Sequence, residues 1–251
     1  MMRHIFLFLI LATLSTVVCS QEYDLFLLIG QSNMAGRGAM AIGDSSVIEG
    51  VYLLTLENTI EPATNPLNKY SSIRKDISMQ QMSPGYGFAR KIYAETGRKV
   101  LLVVNARGGS TIEEWTKDNP EKNYYSEAIR RTKSAMKFGR LVAILWHQGE
   151  GNSDNPGDYL TKLNSFVSNL RNDLGVKELP FIAGEIAPWW NPQASKFNPV
   201  IREISKTIPC SDYISAEGTK TATNESDPHF NRESQIILGE RYAQKVLKMC
   251  Y

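Results

Sequence analysis

Short apolar runs, each closing on glycines and polar side chains, recur along this chain. Residues 25–29 (Leu-Phe-Leu-Leu-Ile) stop at Gly30, and Gln31, Ser32 and Asn33 follow. Residues 100–104 run into Asn105-Ala106-Arg107-Gly108-Gly109-Ser110, and residues 141–146 into His147-Gln148-Gly149-Glu150. Runs this short, apolar without alternation, predict strands buried on both faces. Further strands are expected at 179–186 and 213–216, with a short one at 51–56. Between them the apolar residues fall at helical spacing. Phe88, Ala89, Ile92 and Tyr93 mark a helix over 85–95, and Tyr125, Ala128, Ile129, Thr132 and Met136 one over 124–138. Leu160, Leu163, Phe166, Val167, Leu170 and Leu174 form the stripe of a third. Helices over 199–207 and 232–248 complete the alternation, the last burying Ile236, Ala243 and Val246. Strand following helix throughout predicts an α/β fold, a parallel sheet of about five strands with helices on both faces.

Composition narrows the classes. A chain of 251 residues with 42% hydrophobic and 22% charged positions is globular in character. Its formal charge of +2 is scattered, which leaves no basic footprint for nucleic acid. The first twenty residues stand apart: Arg3, an apolar run over 5–14, then small residues up to Ser20. That order predicts a secretory leader cleaved after Ser20, too short to span a membrane. Its removal takes Arg3 and lowers the charge from +2 to +1. Cys19 raises a lipid-anchored form, against which the bulky Val18 argues. Cys210 and Cys250 then remain, an even count that fits either one disulfide or two free thiols in an exported chain. With no Cys-x-x-Cys and no clustered His, a zinc site has no support, and no cofactor is expected. The absence of repeats and linkers makes residues 21–251 a single domain. The long irregular stretch 35–84 is expected to wall a binding cleft.

In a parallel sheet the polar strand ends lie along one edge, where α/β proteins place their chemistry. Acyl transfer needs a nucleophile, a base, a carboxylate to orient the base, and donors for the oxyanion. Ser32 supplies a hydroxyl, although alone it equally fits a helix cap. His229, in Asp227-Pro228-His229, is the histidine able to reach it from a loop; His147 reads as a packed strand end. Glu150 or Asp227 could hold the imidazole. The backbone N–H groups of Ser32 and Gly109 and the amide of Gln148 could receive the oxyanion.

Gly30-Gln31-Ser32-Asn33-Met34, Gly108-Gly109-Ser110, Trp146-His147-Gln148-Gly149-Glu150 and Asp227-Pro228-His229 together resemble the four blocks of the SGNH hydrolase superfamily. More narrowly they resemble its carbohydrate esterase family 6 and sialate O-acetylesterase branch, over residues 24–247. The resemblance implies a three-layer α/β/α fold and a metal-free serine esterase. In it Ser32 is nucleophile, His229 base, and Gly109 and Gln148 oxyanion donors. The superfamily's acid stands three residues before its histidine, where this chain has Ser226. Asp227 is only two residues away, a spacing expected to turn its side chain aside, so Glu150 is favoured as the partner of His229.

The expected substrate is an acetylated carbohydrate, either xylan-type or sialic acid. Gln31 and Asn33 beside the nucleophile, Arg107 or Arg74 for a sugar carboxylate, and Trp115, Trp189, Trp190 and Tyr86 as stacking platforms are the candidate contacts. Any one of these aromatics equally fits a role covering the core. A lipid or thioester hydrolase, or a non-catalytic sugar-binding domain, are the rival readings.

Overall fold

The computed structural model describes residues 22–74 and 76–251; the leader read at residues 1–20 lies outside them. The elements run β1 (Tyr23–Gly30), α1 (Ser32–Ala35), β2 (Val51–Leu54), β3 (Ile60–Pro62), α2 (Pro84–Thr96), β4 (Lys99–Val104) and α3 (Tyr124–Ala135). They continue with β5 (Gly139–His147), α4 (Tyr159–Leu174), β6 (Phe181–Gly184), α5 (Gln193–Arg202), α6 (Ile204–Thr207), β7 (Ser211–Ile214) and α7 (Arg232–Cys250). One sheet holds the strands in the order β3-β2-β4-β1-β5-β6-β7. All neighbours are parallel except β3, which pairs antiparallel with β2.

The pleat of β1 divides the core in two. Leu25, Leu27 and Ile29 face one side with Trp146, Phe166 of α4 and Phe197 of α5. Phe26 and Leu28 face the other with Phe88 of α2 and Leu238 and Tyr242 of α7. Both faces being covered, β1 is buried along its whole length, which is why its sequence lacks alternation. The result is a three-layer α/β/α arrangement.

After β1 the chain adds β2 and β4 on one side, then crosses through α3 to add β5 on the other. Ligand crevices form where the strand order reverses in this way, outside the carboxyl ends of the strands. Ser32, Gly109 and Glu150 follow those ends of β1, β4 and β5 within a few residues.

The sheet has seven strands rather than five. The short strand expected at 51–56 belongs to the sheet as β2, and the strand not expected is β3, only Ile60-Glu61-Pro62, too short and mixed to carry a period. Its proline is tolerated because an edge strand need not donate on both sides. Helix α5 starts at Gln193 rather than 199, because Ala194, Phe197 and Ile201 bury one stripe and carry Pro199 inside the helix. Cys210 is exposed and Cys250 partly buried, and both are free. The end of α7 is held instead by the Tyr251 hydroxyl on Asp24, a buried carboxylate also bound by Arg98 and Arg140. Among the described residues no helix is long and apolar enough to cross a membrane.

Candidate active site

Gly30 ends β1 with φ of 134°, and a Cβ there would meet the His147 carbonyl oxygen at 2.2 Å. Only glycine lets the chain turn so close to β5 and begin α1 at once. Ser32 is therefore the first residue of α1, 6% exposed at the floor of an open cleft of about 450 Å³. The cleft is lined by Gln31, Ser32, Arg37, Gly108, Glu150 and His229, among others.

Ser32 Oγ lies 3.0 Å from His229 Nε2, although 197 positions separate the two. On the other side of the ring, Nδ1 lies 2.6 Å from Asp227 Oδ1. The same oxygen accepts the backbone N–H of His229 at 3.0 Å, and Oδ2 accepts the Thr223 hydroxyl at 2.8 Å. An N–H at Nδ1 leaves Nε2 free to accept from the serine hydroxyl. Burial works against the Asp227 charge, but the Thr223 and His229 bonds hold its carboxyl below the usual range. Burial also lowers the His229 pKa; Asp227 opposes that shift, and the positive charge of Arg37 adds to it.

The partner of His229 is thus Asp227 and not Glu150. The two-residue spacing succeeds because the Asp227 carboxylate folds back over the His229 N–H, closing a tight turn that aims one oxygen at both nitrogens. Glu150 is 9% exposed, with Oε1 accepting from Asn33 Nδ2 at 2.6 Å and Oε2 unpartnered among the described residues. Burial pushes its carboxyl up to about 7.

Gln148 is turned away from the cleft. Its Nε2 donates to the Ser110 carbonyl at 3.1 Å and Asn152 Oδ1 at 2.8 Å, and its Oε1 accepts from Tyr159 at 2.6 Å. Both amide protons are committed, so it holds the β5 loop in place of an oxyanion. The backbone N–H groups of Ser32 and Gly109 have no acceptor among the described residues. The Gly109 loop, where φ is 76°, is fixed by Asn68, which pairs with both the N–H and carbonyl of Ala106.

Asn33 is fully buried and also has another task than meeting substrate. Its Nδ2 donates to the Pro228 carbonyl at 3.0 Å as well as to Glu150. Its Oδ1 accepts the Phe230 N–H at 3.2 Å and Gln235 Nε2 at 3.3 Å. One side chain thereby fastens the residues on either side of His229 to the helix that carries Ser32. Asn33→Ala should destabilise the fold by about 2–4 kcal/mol, because the Phe230 N–H and the Glu150 carboxyl lose a buried partner. It should also cut kcat by about 10–100-fold by loosening the serine–imidazole contact. Urea unfolding and ester kinetics check the two effects separately.

Among the aromatic candidates, Trp115 is wholly buried, edge-on to Trp146 at 5.3 Å, with its indole N–H on Ser110 Oγ. Trp189 and Trp190 do not line the cleft; Trp189 packs on Phe230 and donates to the Asp227 carbonyl at 2.9 Å, steadying the histidine loop. Tyr86 and Arg107 are likewise not among the lining residues, whereas Gln31 and Arg74 are. Arg37 and Met79 line it too and were not expected. The signal for Arg37 was present in Gly36-Arg37-Gly38, two glycines whose added Cβ atoms would strike the backbones of Gln81 and Arg232.

A hydroxyl, an imidazole and a carboxylate in series at a strand-to-helix turn, on a three-layer α/β/α scaffold, form the arrangement of a serine-type acyl hydrolase. The model of the family described as carbohydrate esterase, sialic acid-specific acetylesterase, matches residues 22–248, and the chain belongs to that family. It is a carboxylic ester hydrolase of the carbohydrate acetylesterase class. A protein of Arabidopsis thaliana named a probable carbohydrate esterase is 27% identical over 243 residues, covering 89% of this chain and 90% of that one. The crystal structure of that Arabidopsis protein superposes with a TM-score of 0.80 at 24% identity, covering 91% of this chain and all of the other. NanS gives 0.67 at 15% identity over 92% and 98% of the two chains. A carbohydrate acetylesterase of Xanthomonas citri gives 0.66 at 19% identity, over 91% of this chain and 56% of its own.

Proposed function

We propose that the protein removes O-acetyl groups from carbohydrate by a covalent acetyl-serine route, with Ser32 as nucleophile, His229 as base and Asp227 as the carboxylate behind it. The 3.0 Å contact between Ser32 Oγ and His229 Nε2 carries the reading. Ser32 Oγ attacks the acetyl carbonyl while its proton passes to Nε2. The imidazolium so formed is stabilised by Asp227 and returns the proton to the departing sugar oxygen. Water then repeats the sequence on the acetyl-enzyme and releases acetate. The N–H groups of Ser32 and Gly109 are the donors available to the tetrahedral oxyanion. The leader read in the first twenty residues supports action outside the cytoplasm.

Labelling by a fluorophosphonate probe, located by peptide mass spectrometry, tests the assignment. One adduct on Ser32 together with acetate release from p-nitrophenyl acetate is expected. An unlabelled protein that binds glycans without turnover would be a carbohydrate-binding domain instead. Preference for octanoyl over acetyl esters would instead mark a lipid or thioester hydrolase on the same scaffold.

The pH profile follows from the base. His229 must be neutral to accept the serine proton, so kcat/KM rises with pH through the imidazole pKa. Burial and Arg37 hold that pKa below the ordinary 6.5, so half-maximal activity on p-nitrophenyl acetate should fall below pH 6.5. A midpoint at or above pH 7 would contradict it.

A further inference from the structure

With both amide protons of Gln148 spent on Ser110 and Asn152, the oxyanion is left with backbone donors at Ser32 and Gly109. Across Gly108 from the nucleophile stands another donor. Arg37 lines the cleft and is half-buried. Its Nη1 donates to the carbonyls of Gly36 and Met79 at 2.7 and 3.1 Å, and among the described residues no bond engages Nη2. A Cβ placed on Gly108 would lie 2.9 Å from that Nη2 and 3.5 Å from Ser32 Cβ. A gap the size of one methyl group therefore separates the guanidinium from the nucleophile's side chain, and glycine at 108 leaves it open. The group is fixed before any substrate arrives. The N–H groups of Arg37 and Gly38 both donate to the Met82 carbonyl, at 3.0 and 3.2 Å, and the Gln81 N–H donates to the Gly36 carbonyl at 3.2 Å. A donor held in advance costs no reorganisation when charge develops.

The electrostatics favour an anion that appears during the reaction. Burial lowers the His229 pKa and the Arg37 charge lowers it further, so in the resting enzyme Arg37 weakens the base. No carboxylate of the cleft offsets it: Asp227 is spent on His229 and Thr223, and Glu150 is bonded to Asn33 and pushed by burial up to about 7. The conflict grows as the imidazolium forms, unless negative charge develops beside the guanidinium in the same step. The tetrahedral intermediate supplies that charge. As the bond from Ser32 Oγ to the acetyl carbon forms and the serine proton reaches Nε2, the carbonyl π pair moves onto oxygen. Hydrogen bonds from a cation to such an oxygen are stronger than those from a neutral amide.

We propose that Arg37 is a catalytic residue whose Nη2 donates to the acetyl carbonyl oxygen in the transition state, a third oxyanion donor in the place Gln148 leaves empty. The inference rests on the acetyl-serine reading above. Arg37 gives up no proton; when the electron pair re-forms the carbonyl, the bond to the departing sugar oxygen breaks and the contact relaxes. The test uses Arg37→Ala on p-nitrophenyl acetate, which carries no sugar for an arginine to bind. Both kcat and kcat/KM should fall by about 10²–10³-fold, as for loss of one oxyanion donor. The acidic limb of the pH profile should move up, because a cation no longer opposes the imidazolium. Guanidinium chloride should restore about ten-fold or more of the lost kcat, where sodium chloride of equal ionic strength does not. Phenyl acetate, with its poorer leaving group, should show the same fractional loss. A loss that grows as the leaving group worsens would put Arg37 on the departing oxygen and overturn the proposal. So would a change confined to KM, a kcat within about three-fold of wild type, or a loss that guanidinium does not restore and that leaves the acidic limb unmoved. Should Arg37→Ala fail to fold, Gly108→Ala displaces Nη2 by contact at the far end of a flexible side chain. It should lower kcat by about ten-fold or more, and an unchanged kcat overturns the proposal. Wild-type protein without turnover on any ester and without a fluorophosphonate adduct on Ser32 would overturn the acetyl-serine reading instead.

Discussion

Ser32→Ala should reduce hydrolysis of p-nitrophenyl acetate by about 10⁵–10⁶-fold in kcat, close to loss of the reaction, because among the described residues no other hydroxyl or thiol lines the cleft beside His229. The change should leave stability within about 1 kcal/mol, since Oγ makes a single bond, to His229 Nε2, and the helix backbone is unaffected. An unchanged melting temperature with activity lost separates catalytic from structural failure. The variant keeps the N–H of residue 32, so binding of a deacetylated sugar should persist and can be measured by calorimetry. A variant that turns over at anything near the wild-type rate removes Ser32 from the chemistry.

Asp227→Asn should lower kcat by about 10²–10³-fold, whereas Glu150→Gln should change it less than about ten-fold. An asparagine at 227 can keep its carbonyl oxygen on the His229 N–H and Nδ1, with its amide facing Thr223, so the tautomer is preserved. What it removes is the negative charge that stabilises the imidazolium. The His229 pKa should fall further, and the acidic limb of the pH profile should move down as the plateau drops. A glutamine at 150 still accepts from Asn33, so the clamp on the histidine loop survives. Glu150→Gln should act on stability instead. The Glu150 carboxyl, ordinarily at 4.5, sits at about 7 in the fold, so ionising it costs folding free energy as pH rises from 4.5 through 7. The amide removes that cost, roughly 3 kcal/mol once the carboxyl is fully ionised, and should flatten the decline in melting temperature above pH 5. A ranking with Glu150→Gln the more damaging to kcat would return the orienting role to that residue.

Much of the scaffold was readable because it depends on local rules. A strand buried on both faces must be uniformly apolar, so 25–29, 100–104 and 141–146 declared themselves. Helices declared themselves through their buried stripe, and the positions where both patterns stop located the active edge. The three-residue β3 had no such signature, and α5 was cut short because Pro199 looks like a helix start until its neighbours' burial is known.

The site divides along the same line. Glycine punctuation and polar strand ends marked Ser32, Gly109, Asp227 and His229, since close backbone approach and buried polarity constrain residue type at each position by itself. Which group a polar side chain bonds is not a property of its position. Whether Asp227 or Glu150 met the imidazole turned on the fold of one short turn. Gln148 and Asn33 were absorbed by neighbours 38 and 195 positions away, Ser110 and Pro228. Trp115 lies in the core and Trp189 braces the histidine loop, contacts that sequence does not foretell because a tryptophan reads alike whether it meets sugar or protein. Position along the chain says where donors and charges lie, while only packing in three dimensions decides which groups they meet.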